Sequence, residues 1–402
     1  MRATVTGELD VARVRGLYLT VATGPASLEG PLSTLQPESV VRAIISALRA
    51  SPTQPGGTSI RSQRTAKMVQ AARSAFADLV GGSADSVVLG STLAALQTQF
   101  SESLARDWQL GDQIVLSRLD SDAVVTPWLR AARAAGVSVR WAEVDLETGE
   151  LPSWQYEHLI SRHTRLVTVP LGNAATGTVP DVRAVANLAH DAGALVLVDV
   201  GTAIPHLSTD LHELGADLVV VSSQTFGGPT LAALIARPGL LLEIDGGTHQ
   251  PAPKRFEMGP LPVELVDGAT AAIDHLAGLD ETALGTRRER LATSIGAAGV
   301  HTRALWERFA AGVADLPHVT VFGGTDDRLP VLAFTVARRS PAQVGEFLAR
   351  HGISVWTGPS GLTQLMTAFG ADELGGATFA GFMPHTTVTE VDQLLTALRA
   401  LR

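Results

Sequence analysis

Two short apolar runs, each ending in polar residues, constrain this chain more than any other feature. Leu195-Val196-Leu197-Val198 runs into Asp199, and Val219-Val220-Val221 runs into Ser222-Ser223-Gln224-Thr225-Phe226-Gly227-Gly228-Pro229. Unbroken runs of Val and Leu read as strands buried on both faces, the pattern of a parallel sheet. An acid at the tip of one strand and a glycine-rich turn after the next then meet at the carboxyl edge of the sheet, where open α/β folds bind small ligands.

The rest of the chain supports that frame. Short strands are expected at 86–89, 113–116, 137–141, 164–169 and 231–236, the last running back across the sheet. Helices are expected at 63–79, 126–135, 152–160 and 182–192, so strand and helix alternate as in a helix-wrapped sheet. In the helix at 63–79, Met68, Ala71, Ala72 and Phe76 fall on one face. Helices at 264–276 and 281–309 lead to a smaller α+β layer, with strands at 318–322, 329–337 and 353–356 and helices at 341–351 and 388–401.

At 402 residues the chain is long enough for two domains, and 45% hydrophobic with 18% charged residues describes a globular protein. A net charge of -9 without a basic cluster argues against nucleic acid as a partner. The absence of cysteine excludes disulfides, thiolate metal ligands and a cysteine nucleophile within these residues, and no His-rich metal pattern appears. Residues 1–10 show no apolar run of a signal peptide, and no uncharged segment is long enough to span a membrane, so a cytoplasmic protein is expected. Lysine occurs only at Lys67 and Lys254, so any chemistry that needs a lysine amine must use one of these.

Five stretches carry a family likeness. They are Arg118-Leu119-Asp120-Ser121-Asp122-Ala123 ahead of Pro127-Trp128, Leu197-Val198-Asp199, Ser222 through Pro229, Phe256-Glu257-Met258-Gly259, and Gly381-Phe382-Met383-Pro384-His385-Thr386-Thr387. In this order and spacing the chain resembles the class V aminotransferase family, fold type I of the pyridoxal-phosphate (PLP) enzymes, and within it the cysteine-desulfurase-like branch. The resemblance covers nearly the whole chain. It implies a PLP-transferase fold with a large, mostly parallel, seven-stranded-type α/β domain over residues 30–280. A smaller α+β domain takes residues 281–402 with 1–29, and the family acts as a homodimer.

The same resemblance places departures in the site. Thr225 stands where the family's Schiff-base lysine is expected, and a hydroxyl cannot condense with an aldehyde as an amine does. Ser121 takes the place of the ring-stacking histidine, Ala174 that of an asparagine (with Asn173 adjacent), and Thr202 that of a Gln or His. Pro260 replaces a phosphate-binding threonine, Phe379 a carboxylate-binding arginine, and His385 the tail tyrosine. Asp199 and Ser222 are retained. Ser91 and Thr92 open a helix, where they either hold an anion or simply cap the helix. Gln224 can hydrogen-bond but cannot act as a base. His206 and His385 are the candidate proton-transfer residues, each weighed against a structural role. Lys254 precedes a loop that reaches the neighbouring subunit in the family.

Two readings follow. The first is a PLP-independent chain with no cofactor, either a ligand-binding pseudoenzyme or a repurposed catalyst acting on a small molecule. The second is a PLP-dependent lyase or transferase that binds the cofactor non-covalently or through Lys254. The accumulated departures favour the first as the expectation.

Overall fold

The structure, a computed structural model, describes residues 9–21, 24–30, 32, 34–324, 328–358 and 360–401. Residues 1–8, most of the stretch read for a leader, fall outside them. Among the described residues the strands in chain order are β1 (Ala26–Ser27), β2 (Val87–Gly90), β3 (Gln113–Ser117), β4 (Ser138–Ala142), β5 (Thr164–Pro170), β6 (Leu195–Asp199) and β7 (Leu218–Ser222). They continue with β8 (Ala232–Ala236), β9 (Val319–Val321), β10 (Val331–Val336), β11 (Ile353–Ser354), β12 (Trp356–Gly358) and β13 (Ala377–Gly381).

Seven strands form the main sheet in the order β2-β8-β7-β6-β5-β3-β4. The pairs among β4, β3, β5, β6 and β7 are parallel, and β8 runs antiparallel to both its neighbours. The strand expected to run back across the sheet does so. Val196, Leu197, Val198, Val219, Val220 and Val221 are fully buried, as two-sided coverage by helices requires. The chain steps outward from β3 to β4, then crosses back to place β5 on the other side of β3. That reversal opens a crevice at the carboxyl ends of the strands.

One helix that frames the crevice carries an interior proline. Pro127 lies within Asp122–Ala135 and cannot donate to the carbonyl of Ala123 one turn earlier. The side chain of Gln97 makes good the loss: its Nε2 donates to Ala123 O at 3.1 Å, and its Oε1 accepts from Trp128 Nε1 at 2.9 Å. Gln97 is fully buried, so this pairing satisfies both ends of a dry amide and fixes the start of the helix.

The face expected on the long helix needs correction. On Ile60–Val80 the buried residues include Ala72, Ala75, Phe76 and Leu79, whereas Ala71 is exposed and Met68 only half-buried. Arg73 turns inward instead: it donates to Val87 O and pairs with Glu257 at 2.7 Å. Glu257 Oε1 also accepts from Leu89 N at 3.0 Å. Strand β2 lies at the edge of the sheet, so this ion pair takes up backbone groups that the edge would otherwise leave open.

The C-terminal layer is a four-stranded antiparallel sheet, β12-β13-β10-β9, covered by helices that include Pro341–Arg350 and Val388–Ala400. The single strand expected at 353–356 is split. Its first part, β11, pairs in parallel with β1, while β12 joins β13. Strand β13 is fully buried between β12 and β10, although Ala377-Thr378-Phe379-Ala380-Gly381 carried no strand signal of its own. The helix Thr363–Ala368 was likewise not anticipated. No helix among the described residues is long and apolar enough to cross a membrane.

Candidate active site

The turn after β7 is built by its own residues. Ser223–Phe226 forms a single 3-10 turn, and Gly228 N donates to Ser223 O at 2.8 Å. Gly227 adopts φ +88°, and a Cβ there would meet Leu35 O at 2.9 Å; one on Gly228 would meet Ser223 O at the same distance. Only glycine fits both positions. The Thr225 hydroxyl donates back to Ser222 O at 2.9 Å, which holds its side chain against the turn. On the neighbouring strand end, Asp199 Oδ1 accepts from Gly201 N at 2.9 Å. A Cβ on Gly201 would meet Asp199 Oδ1 at 3.2 Å and Thr225 Cγ2 at 3.3 Å, so this glycine keeps open the space between the two side chains.

That space is a cavity of about 150 Å³. Ser121, Asn173, Asp199, Thr202, Ser222 and Thr225 line its polar side, with Ser360 contributed by the C-terminal region. Leu93, Leu119 and Leu362 supply apolar walls. Burial pushes the Asp199 carboxyl up to about 6, opposed by the Gly201 N–H. The hydroxyls of Ser121 and Ser360 are buried without a hydrogen-bond partner. Ser121 precedes the helix Asp122–Ala135 but does not cap it. The loop bearing Ser360 is anchored to the same place: Asp122 N donates to Gly361 O at 2.7 Å, and Thr363 Oγ1 donates to the Asp122 carboxylate at 2.7 Å.

Asn173 lines the cavity, yet its amide is committed elsewhere. Nδ2 donates to Leu119 O at 2.8 Å, and Oδ1 accepts from Ala175 N and Thr176 N at 2.8 and 3.0 Å. It shapes the loop after β5 and has no oxygen left for a ligand.

The other candidate residues lie outside the cavity lining. Thr92 caps the helix Leu93–Leu104, its Oγ1 accepting from Ala95 N at 3.2 Å, and Ser91 is exposed beside it. Gln224 faces solvent on the outer side of the turn. His206 is buried against Thr302, its Nδ1 3.3 Å from Oγ1, and burial lowers it to about 3. His385 packs against Tyr18 at 4.8 Å between ring centroids, with neither ring nitrogen partnered, and burial lowers it to about 3 as well. Neither histidine lines the cavity, and both are enclosed in the core, so neither is placed to exchange protons with a ligand there. Phe379 is fully buried in β13. Lys254, Arg73, Glu257 and Pro260 line a separate groove of about 590 Å³, and Lys67 is exposed on its helix. Among the described residues, therefore, no lysine lines the Asp199 cavity.

A residue that sequence reasoning did not single out lies behind the cavity. Asp120 is fully buried; its Oδ2 accepts from Thr168 Oγ1 at 2.5 Å and from Ser117 N at 3.4 Å, while Oδ1 has no partner. Burial chiefly, and the nearby Asp199, push its carboxyl up to about 7. The available signal was its place, an acid between the end of β3 and a helix start.

An aspartate at one strand tip, a glycine turn at the next and a mostly parallel seven-stranded sheet define a PLP-transferase fold of type I. Solved structures agree: a cysteine desulfurase from Thermococcus onnurineus superposes with a TM-score of 0.86 at 22% identity, covering 99% of both chains. The Escherichia coli cysteine desulfurase CsdA gives 0.85 at 24% identity, covering 98% of this chain and 99% of its own. The family profile described as Aminotransferase class-V matches residues 28–394, and the chain belongs to that family. An uncharacterized protein of Mycobacterium tuberculosis is 38% identical over 396 residues, 98% of this chain and 99% of that one. A probable cysteine desulfurase of Mycolicibacterium paratuberculosis is 30% identical over 349 residues, 84% of this chain but 49% of that relative's length.

This corrects the expectation of a chain without a cofactor. Membership of the family, with relatives named as cysteine desulfurases, points to PLP. The cavity fits the cofactor's ring: a space of about 150 Å³ admits one six-membered aromatic ring. Asp199 offers a carboxylate for a ring nitrogen, and the unpartnered hydroxyls of Ser121 and Ser360 are free to meet polar substituents.

Proposed function

We propose that this chain binds PLP in the Asp199 cavity without a covalent tether to its own lysines, and serves a PLP-dependent lyase or transferase reaction. The observation that carries the reading is a ring-sized cavity with an acid and two unpartnered hydroxyls but no lysine in its lining. With the cofactor bound, Asp199 would hold a proton at a ring nitrogen, Leu93, Leu119 and Leu362 would supply apolar contact, and Ser121, Ser222 and Ser360 could hydrogen-bond its oxygen substituents. The bound cofactor supplies an electron sink for carbanion chemistry. Thr225 occupies the place that the family resemblance gives to the lysine, and its hydroxyl is already spent on Ser222 O. Tight holding therefore rests on Asp199 and the hydroxyls. With no cysteine in these residues, a persulfide on the chain's own thiol has no part in the reaction. The resemblance further supports a homodimer, with the groove that contains Lys254 turned toward the partner.

Equilibrium dialysis with PLP, followed by borohydride reduction and peptide mapping, tests the reading. Saturable binding near one equivalent with no modified lysine is expected. A reduced adduct on Lys254 would replace the untethered mode with a lysine-bound one, and the absence of saturable binding would sink the proposal. The Thr225→Lys variant is expected to gain a borohydride-stable label at residue 225 without gaining transaminase or desulfurase turnover. Ser121 offers no ring to stack on the cofactor, and Phe379 no charge for a substrate carboxylate. Robust turnover by that single variant would refute this account of the pocket.

A further inference from the structure

We infer that Asp120 is a positioning residue of the same pocket, a neutral carboxylic acid held behind Asp199 so that the two carboxyls present one negative charge to the ligand. The inference deepens the reading above, in which the ligand's ring nitrogen is the cation.

The geometry requires it. Asp120 is fully buried; Oδ2 is engaged by Thr168 and Ser117, and Oδ1 by nothing. An ionised carboxylate in that position would leave a charged oxygen with no donor, in protein rather than water, beside a second acid. Register places that acid close by. Pro170 at the end of β5 pairs with Asp199 at the end of β6, and Thr168, the donor to Asp120, lies two residues earlier on β5. Among the described residues no cation acts on the Asp120 carboxyl. The adjacent Arg118 is turned to Glu143 at 2.9 Å, to Gln364 and over the Trp141 ring, and Asp122 is taken up by Thr363. Tyr156, fully buried nearby, has its own ionisation pushed up by burial chiefly and by Asp120, against the hydroxyl of Ser117. A proton on Oδ1 removes the unpaired charge and spares the site a second negative charge. Asp199 acts on Asp120 as a like charge, which favours keeping one proton on the two carboxyls, and Asp199 is the one that lines the cavity.

The arrangement has a consequence measurable without any ligand. An unfolded aspartate loses its proton near pH 4, whereas Asp120 in the fold keeps it to about 7. The folded pKa is the higher one, so the contribution of this group to stability is full below the unfolded pKa. It falls as pH rises between the two values and stays lost above the folded pKa. Asparagine, a neutral isostere, has no such loss. The melting temperature of Asp120→Asn relative to wild type is therefore expected to rise by a few degrees from about pH 5 to about pH 8. In an Asp199→Asn background the rise is expected to shrink, because the neighbouring charge is gone.

A constant difference across that range, or one indifferent to Asp199, means that Asp120 only fills space, and overturns the inference. If Asp120→Asn does not fold, infrared spectroscopy of the Asp199→Asn protein replaces it. A protonated-carboxyl carbonyl band surviving at about pH 6, where exposed carboxyls are ionised, supports the inference, and its absence overturns it. Both measurements use the ligand-free protein, so their failure is separable from a failure of PLP to bind.

Discussion

Asp199→Ala is expected to weaken PLP binding by roughly ten- to hundredfold, measured by equilibrium dialysis above the carboxyl's pKa of about 6. A hydrogen bond to a charged partner contributes about 1.5–3 kcal/mol, and each 1.4 kcal/mol is close to a factor of ten. The loss is not softened by a covalent bond, because no lysine lines the cavity and the ligand must be held by what surrounds it. Asp199→Asn keeps the shape and one acceptor but not the charge, so its affinity is expected between the two. Wild-type affinity should also fall as pH drops through about 6, where Asp199 takes up a proton and loses the charge that meets the ring nitrogen. If alanine at this position binds PLP as well as aspartate does, the ring nitrogen lies elsewhere and the assignment of the cavity is wrong.

The second large effect concerns stability rather than ligand. Glu257→Ala is expected to lower unfolding stability by about 3–5 kcal/mol, read as a fall in the midpoint of urea unfolding. Glu257 and Arg73 are both nearly buried and 2.7 Å apart, and the same carboxylate oxygen serves the amide of Leu89. Removing the acid leaves a buried guanidinium without its counterion and an edge amide without its acceptor, which costs more than the pair itself contributes. Glu257→Gln keeps the acceptor for Leu89 and is expected to lose less. Equal unfolding midpoints for wild type and alanine would show that solvent reaches this pair freely.

Much of the frame is legible in the sequence because it is local. Val and Leu runs name the buried strands, their polar ends name the crevice, and the Gly227-Gly228 pair announces a turn only glycine can make. Asp199, Ser222 and Thr225 come together for that reason alone. Ser360 and Leu362 join the cavity through a loop tied to Asp122 from far along the chain, and no spacing signals that contact. Strand β13 hides in a five-residue stretch with two alanines and a glycine, whose strand character comes from β10 and β12 on either side. His206 and His385 lie near the site in the sequence but are enclosed in the core, a difference only packing decides. Asp120 shows the converse, an acid whose meaning depends on its complete burial. The departures at Thr225, Ser121 and Phe379 are legible position by position, whereas the carboxylate, the free hydroxyls and the ring-sized space that bear on a cofactor are brought together only by the fold.

The clasp of Arg73 and Glu257 over β2 also limits how copies of this chain can meet. Strand addition needs a bare row of amides and carbonyls, and here Val87 O and Leu89 N are already occupied by side chains of the same molecule. Two copies cannot fuse their main sheets into one continuous sheet along this border without first breaking that pair. Any symmetric assembly at this border must therefore join through side-chain surfaces, leaving each subunit's sheet seven strands wide.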